Sequence, residues 1–335
     1  MTTVDRPSDG SRVIHAENDS IYLRYHEVEA PDLHRLYENA KRDQWNVTTD
    51  IDWEQPVNLD EGFVADELID IYSSSFWNKM NSKEKAEMNR LFSAWRLSQL
   101  LHGEHGAVLV CGQLANVLPD ADTKFFMATQ VMDEARHNEF FQRYLTERVG
   151  QTYDQADTGR ELFDFILADS RWYIKTIGLQ LIGETFAVAL FKMLADTAKD
   201  ELLREGCKLI LRDEARHMGF GMLSLPEQVA QMSAQEVAEL EEFTVYFLRN
   251  TLTGGFPKEA YLDMGFNKTE IQEIRDLRKQ KAQGNDFTMF RQLFKRDMHH
   301  TLVNNLYRCG ILSENMKGRL EEELRVNVAE HLAAD

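Results

Sequence analysis

The pentapeptide Asp-Glu-Ala-Arg-His occurs twice, at 133–137 and at 213–217, an offset of 80 residues. In a helix, positions i and i+3 share a face, so Glu134 with His137, and Glu214 with His217, can aim a carboxylate and an imidazole at one point. A single copy in an acidic helix would ordinarily read as a solvated face. The repeat extends further, however: a glycine-glutamate pair stands 30 residues ahead of each copy, at Gly103-Glu104 and Gly183-Glu184. A whole three-residue set recurring at one offset needs a common cause, and a dinuclear metal site supplies it. Four carboxylates and two imidazoles suit iron or manganese, while the absence of thiolates argues against structural zinc. Four negative charges balance two divalent ions.

Such a site requires four helices that bring their ligands to one height. The segment from about Lys83 to Leu118 spaces its apolar residues for a helix and stops at Pro119-Asp120, where Asp120 can cap the next helix, which runs to about Val149. From Glu104 to the turn is about 22 Å of helix and from Asp120 to Glu134 about 21 Å, at ~1.5 Å per residue. The polar stretch GQTYDQADTG separates this pair from a second, about Glu161 to Asp196 and about Lys199 to Leu223, ending before Pro226. Glu184 and Glu214 return to a common height in the same way. Both glutamate-bearing helices are otherwise apolar near Glu104 and Glu184, where an unpaired carboxylate would be costly to bury. The expectation is an all-α, single-domain chain (1–335) with a four-helix core at about 83–225, an N-terminal extension at 1–82 and a C-terminal helical layer at 226–335. Breaks are expected at Gly254-Gly255 and Gly284-Asn285.

Around the ligands, Asp133 and Asp213 are placed to accept the second imidazole N–H across the bundle, with Arg136 and Arg216 tying the carboxylates together. His102 and His105 flank Glu104 but point to other faces, and read as packed or solvated. His299-His300 adds no pattern. Phe125, Phe126, Phe140, Phe141, Phe186, Phe191 and Phe220 read as core or, for some of them, as the lining of a substrate pocket. Gly103, Gly106, Gly183, Gly219 and Gly221, each costing a helix roughly 1 kcal/mol, make room either for a ligand or for close helix packing.

Composition narrows the class. A formal net charge of −18 repels phosphate backbones and no basic stripe offsets it, so nucleic acid is not an expected partner. Cys111, Cys207 and Cys309 are scattered, form no CxxC pair and leave one unpaired, which fits a reducing compartment. The N-terminus is polar, without an apolar leader-like run, and nowhere do eighteen apolar residues run together. A soluble cytoplasmic protein without a membrane span is expected. No GxGxxG or P-loop is present, which leaves nucleotide cofactors without support.

One glutamate from each of two helices plus Glu-x-x-His from each of the other two is the arrangement of ferritin-like di-iron and di-manganese carboxylate proteins. Over about residues 83–225 the chain resembles the di-iron oxygenases and oxidases of that superfamily. The doubled DEARH is similar to the DExRH signature of bacterial multicomponent monooxygenases and of acyl-carrier-protein desaturases. RDEARHMGFG resembles a segment of the R2-like ligand-binding oxidases, and QWNVTTDIDW (44–53) an upstream segment of ferritin-like oxygenases. The resemblance implies a ferritin-like bundle whose metal ligands are Glu104, Glu134, His137, Glu184, Glu214 and His217. It implies two iron ions, or manganese with iron, that activate dioxygen to hydroxylate or N-oxygenate a small organic substrate. It further implies an external electron donor, a reductase or ferredoxin, and a homodimer. An acyl desaturase or an R2-like oxidase with a Mn/Fe site is the alternative, and a ferroxidase or iron-storage protein the alternative of another class.

The departures are specific. Phe141 replaces the radical tyrosine of ribonucleotide reductase small subunits. Ala107 and Leu179 replace the cross-linking valine and tyrosine of the ligand-binding oxidases. Ile210 replaces the extra histidine of the arylamine N-oxygenases, and Val188 the threonine of the monooxygenase hydroxylases. The motifs thus leave the subfamily open.

Overall fold

Capping residues start three of the four long core segments, and a proline ends the first. The computed structural model of the protein describes residues 12–252, 255–284 and 289–332; among these residues there is no strand. The expected breaks at Gly254-Gly255 and Gly284-Asn285 fall largely on 253–254 and 285–288, outside the described residues, as does most of the polar N-terminal run. Ahead of the core come α1 (Pro31–Arg42) and the short α2 (Ser75–Lys79). The first core helix, α3 (Ser82–Val117), starts in a capping box in which Asn81 and Glu84 satisfy each other's backbone N–H. It ends at Leu118, which is extended because the following Pro119 disfavours the helical region there. Asp120 then caps α4 (Ala121–Tyr144), accepting from the Thr123 N–H, and a π-helical turn, Leu145–Val149, finishes that helix.

The second pair departs from expectation at both ends. A single helix was expected over about 161–196, but the chain forms α5 (Asp157–Ala168), breaks at 169–171, and resumes as α6 (Trp172–Thr176). The break is stabilised by Asp169, whose carboxylate accepts from the Arg171 backbone N–H and guanidinium. The helix then widens into a π segment, Ile177–Gly183, before α7 (Glu184–Thr197). The last core helix, α8 (Glu201–Gln231), capped by Asp200, does not stop before Pro226 but runs through it. A mid-helix proline costs ~3 kcal/mol or more. Leu225 and Val229, on either side of it, are buried in the same apolar cluster as Leu302, Leu306 and Cys309 of the C-terminal layer, and that packing carries the helix onward.

The remaining elements are α9 (Ala234–Leu252), α10 (Lys258–Asp263), α11 (Lys268–Gly284), α12 (Met289–Arg308), α13 (Glu314–Leu324) and α14 (Val328–Leu332). α3 packs along α4 and α7 along α8, α1 lies against α4 and α8, and α12 covers α7 and the π segment. By length and composition Trp172–Thr197 is apolar enough to cross a membrane; 56% of its window is buried inside the protein, where it supplies a core helix.

The core falls into two apolar clusters, and every core helix passes from one to the other at the same level. On α3, Met88 to Leu101 lie in one cluster and Ala107 to Val117 in the other; on α4 the change comes between Met127 and Phe140. On the third arm of the bundle it comes between Ile182 and Phe191, and on α8 between Ile210 and Phe220. Glu104, Glu134, Glu184 and Glu214 occupy those four gaps. Of the seven phenylalanines expected in the core, Phe126, Phe140, Phe141, Phe191 and Phe220 are buried, whereas Phe125 is exposed on α4 and Phe186 only partly buried.

Candidate metal centre

The polar layer between the two clusters brings together all six residues singled out by spacing. Glu104, Glu134, His137 and Glu214 form one group, and Glu134, Glu184, Glu214 and His217 a second; within each group the donor atoms lie within 4.8 Å of one another. Glu134 and Glu214 belong to both. Their positions follow from helix geometry: Glu134 with His137, and Glu214 with His217, lie one turn apart on inward faces of α4 and α8. Glu104 enters from the middle of α3, and Glu184 begins α7. All six are buried.

His137 Nδ1 lies 3.4 Å from Glu104 Oε2, 3.5 Å from Glu134 Oε2 and 3.1 Å from Glu214 Oε1. His217 Nδ1 lies 3.3 Å from Glu134 Oε1, 3.9 Å from Glu184 Oε1 and 3.1 Å from Glu214 Oε2. The two rings turn their other nitrogens outward, to opposite repeats. His137 Nε2 is 3.1 Å from Asp213 Oδ2, and His217 Nε2 is 3.3 Å from Asp133 Oδ2. A carboxylate only accepts, so each Nε2 carries a proton, and a ring that gave up its Nδ1 proton to a metal ion would present that nitrogen's lone pair on the side of the glutamates. Arg136 donates to Asp133 at 2.5 Å and to Asp213 at 2.9 Å; Arg216 donates to Asp213 and, at 3.4 Å, to Asp133.

The electrostatics of this cluster call for added positive charge. Burial, together with repulsion from the other glutamates, raises the carboxyl groups of Glu104 and Glu184 well above their usual range. Burial opposes protonation of the imidazoles, yet the surrounding carboxylates overcome it, pushing His217 up to about 10 and raising His137 well above its ordinary value. His137 Nδ1 and Glu214 Oε1 are buried without a hydrogen-bond partner although they face each other. Either a second ring proton or a cation must lie between them. Oxygen and imidazole donors in two overlapping sets fit two divalent ions of the iron or manganese type.

Several residues at the site escaped the reading by motif. Trp45 donates its indole N–H to Asp213 Oδ2 at 2.7 Å, while its ring lies parallel to His137 and under the Arg136 guanidinium. Gln44 donates to Asp133 at 3.0 Å and accepts from Arg136 at 2.6 Å. Both follow α1, in the QWNVTTDIDW segment, but nothing in their local pattern points to a partner so distant in sequence. Gln130 contacts Glu134 and Glu184, and here a signal existed: it stands one helical turn before Glu134 on the same face. His102 turns away and contacts the Tyr153 carbonyl, and His105 is exposed. Gly106 and Gly221 serve close packing, since a Cβ at Gly106 would strike the Phe163 ring and one at Gly221 the Gln180 backbone carbonyl. Gly103 has open space around it.

Over residues 27–296 the sequence matches the family described as P-aminobenzoate N-oxygenase AurF. No curated protein is significantly similar to it. Among solved structures it is similar to an R2-like ligand-binding oxidase with aerobically reconstituted metal cofactor after photoconversion. Identity there is 20%, covering 85% of this chain and 94% of that one, with a TM-score of 0.46. A variant of that oxidase with aerobically reconstituted Mn/Fe cofactor is 19% identical, with coverage of 88% and 99% and a TM-score of 0.49.

Proposed function

We propose, from the premise that this chain belongs to the P-aminobenzoate N-oxygenase AurF family, that Glu104, Glu134, His137, Glu184, Glu214 and His217 hold its two metal ions and that it N-oxygenates a small organic amine. The family makes it a non-haem di-iron oxidoreductase with dioxygen as co-substrate. The observation that carries the site assignment is the pair of overlapping donor groups sharing Glu134 and Glu214.

Two bound iron ions, or manganese with iron, supply the electrons and the coordination positions that activate dioxygen. The protein's part is positioning. Asp213 and Asp133 hold the Nε2 protons of His137 and His217, which leaves each Nδ1 lone pair directed at the metal positions. Arg136 and Arg216 balance the two aspartates, and Trp45 and Gln44 fix that outer layer from α1's side. The apolar clusters above and below would keep bulk water from the metal positions, which favours passing oxidising equivalents to a bound substrate. With Phe141 where a radical tyrosine would stand, that residue cannot store them as a tyrosyl radical.

Our reading also takes the chain as one domain over 1–335, working as a homodimer in the cytoplasm and fed by an external reductase or ferredoxin. The test is elemental analysis with turnover. Wild-type protein should hold about two ions per chain, and Glu134→Ala or Glu214→Ala should abolish that stoichiometry; full occupancy in both variants would sink the site assignment. Reduced, iron-loaded enzyme given oxygen and an aromatic amine should yield N-oxygenated product. Rapid iron mineralisation with no amine oxidised would favour the storage reading instead.

A further inference from the structure

One helical turn before Glu134 stands Gln130, and one turn before Glu214, in the otherwise matching repeat, stands Ile210. The two halves of the site part company here. Gln130 is fully buried, and its amide nitrogen donates to Glu134 Oε1 at 3.0 Å and to Glu184 Oε1 at 2.7 Å. The orientation of this amide is not free. Glutamates ionised to hold metal ions only accept, so the NH2 end faces them and the oxygen faces away. That oxygen accepts from Gln180 Nε2 at 2.9 Å. Gln180 in turn belongs to the π segment Ile177–Gly183, which leads directly into Glu184. Its backbone carbonyl is so close to Gly221 that a Cβ there would lie 2.7 Å away, so this end of the amide ladder is held by main chain. Glu104, across the centre, faces His137 instead, and the residue matching Gln130 on α8 is the buried, apolar Ile210.

Resting on the ligand assignment above, we infer that Gln130 is a positioning residue that makes the two metal positions unequal. It clamps Glu134 and Glu184 toward the position formed with Glu214 and His217, and the position that includes Glu104 and His137 has no such amide from α8. The repeat is therefore symmetric in its ligands and asymmetric in what holds them. Gln130 touches Glu134, which both positions share, so its removal should be felt at both, but mainly where Glu184 ligates.

Manganese(II) titration of the anaerobic protein, read by the electron paramagnetic resonance signal of the free ion, tests this without any turnover. Glu104→Ala and Glu184→Ala each leave one position, and Gln130→Met removes the amide at similar side-chain volume. In the Glu104→Ala background Gln130→Met should weaken the remaining ion by about 10–100-fold, the usual loss for a residue that orients a ligand. In the Glu184→Ala background the loss should stay below about threefold, as for a site only weakly coupled to it. Gln180→Met, one step further out, should give a smaller loss in the Glu104→Ala background, which keeps the claim testable should Gln130→Met fold poorly. Equal losses in the two backgrounds, or no loss in either, would overturn the inference. Two tightly bound ions in Glu104→Ala or Glu184→Ala would instead mean that the ligand assignment has failed.

Discussion

His137 and Asp213 stand in different copies of the repeated pentapeptide, yet Nε2 of the one lies 3.1 Å from Oδ2 of the other. His217 and Asp133 make the reciprocal contact at 3.3 Å. Each half-site is thus oriented by the other helix, and α4 and α8 are locked together through the pairs that aim their imidazoles. Arg136 and Arg216 sit between the two aspartates and are themselves buried.

Removing one aspartate should therefore cost the fold as well as the metal. Asp213→Ala leaves the buried Arg136 and Arg216 short of a carboxylate, and breaking a buried ion pair from one side costs about 3–5 kcal/mol. Urea denaturation of the metal-free variant should show that loss. A change under about 1 kcal/mol, the level of a surface pair, would mean the network is not coupled as its distances indicate.

Gly219 and Gly221 lie two residues apart on α8 and should respond to alanine with opposite signs. A Cβ at Gly219 would meet the Leu36 side chain at 3.7 Å, an ordinary contact, so Gly219→Ala should stabilise the helix by up to about 1 kcal/mol. At Gly221 the nearest atom is the Gln180 carbonyl oxygen at 2.7 Å, a main-chain atom that cannot rotate away, so Gly221→Ala should destabilise by about 1–3 kcal/mol. Thermal unfolding of the two variants side by side reads the contrast; equal shifts would contradict it.

Lys175 is fully buried, donating to Gln113 Oε1 at 2.7 Å and to the Ile166 and Leu167 carbonyls that end α5. Burial lowers its pKa to about 8, against an ordinary value of 10.5. Below about 8 the folded protein carries the desolvated ammonium and its full penalty. Between about 8 and 10.5 the folded state has released the proton that the unfolded state still binds, so this residue makes stability rise with pH there. The slope is at most about 1.4 kcal/mol per pH unit. Lys175→Met should flatten that portion of the stability profile, and an identical profile in wild type and variant would refute the assignment.

Phe141 is buried between Phe140 and Phe191, with the Phe191 ring stacked at 5.9 Å and 21°. Phe141→Tyr would place a hydroxyl in that apolar cluster and should destabilise by about 1–3 kcal/mol. Iron-loaded wild-type protein exposed to oxygen should show no long-lived tyrosyl radical by electron paramagnetic resonance. Accumulation of one would replace the oxygenase reading with that of a radical-initiating subunit.

The doubled Glu-x-x-His, the glutamates 30 residues upstream and the proline-free stretch between them were enough to anticipate a helical core with its acids at one level, although the third arm, expected as one helix, is broken at 169–171 and widens into a π segment. Helical periodicity converts spacing into direction, and equal arm lengths about a turn convert it into height, so these features are local and legible. What remained hidden is what depends on contacts between distant segments. The break at 169–171 rests on the Asp169–Arg171 pair and on the reach of Arg171 to the distant Glu239, the π segment before Glu184 packs against α8, α9 and α12, and α8 continues through Pro226 where Leu225 and Val229 join an apolar cluster with a layer some 75 residues on. Trp45 and Gln44 carry no pattern that names Asp213 or Asp133 as partners. The sequence by itself determined which residues share a helix face; only the tertiary structure decided which faces meet, because hydrogen bonds and burial between distant segments have no fixed spacing along the chain.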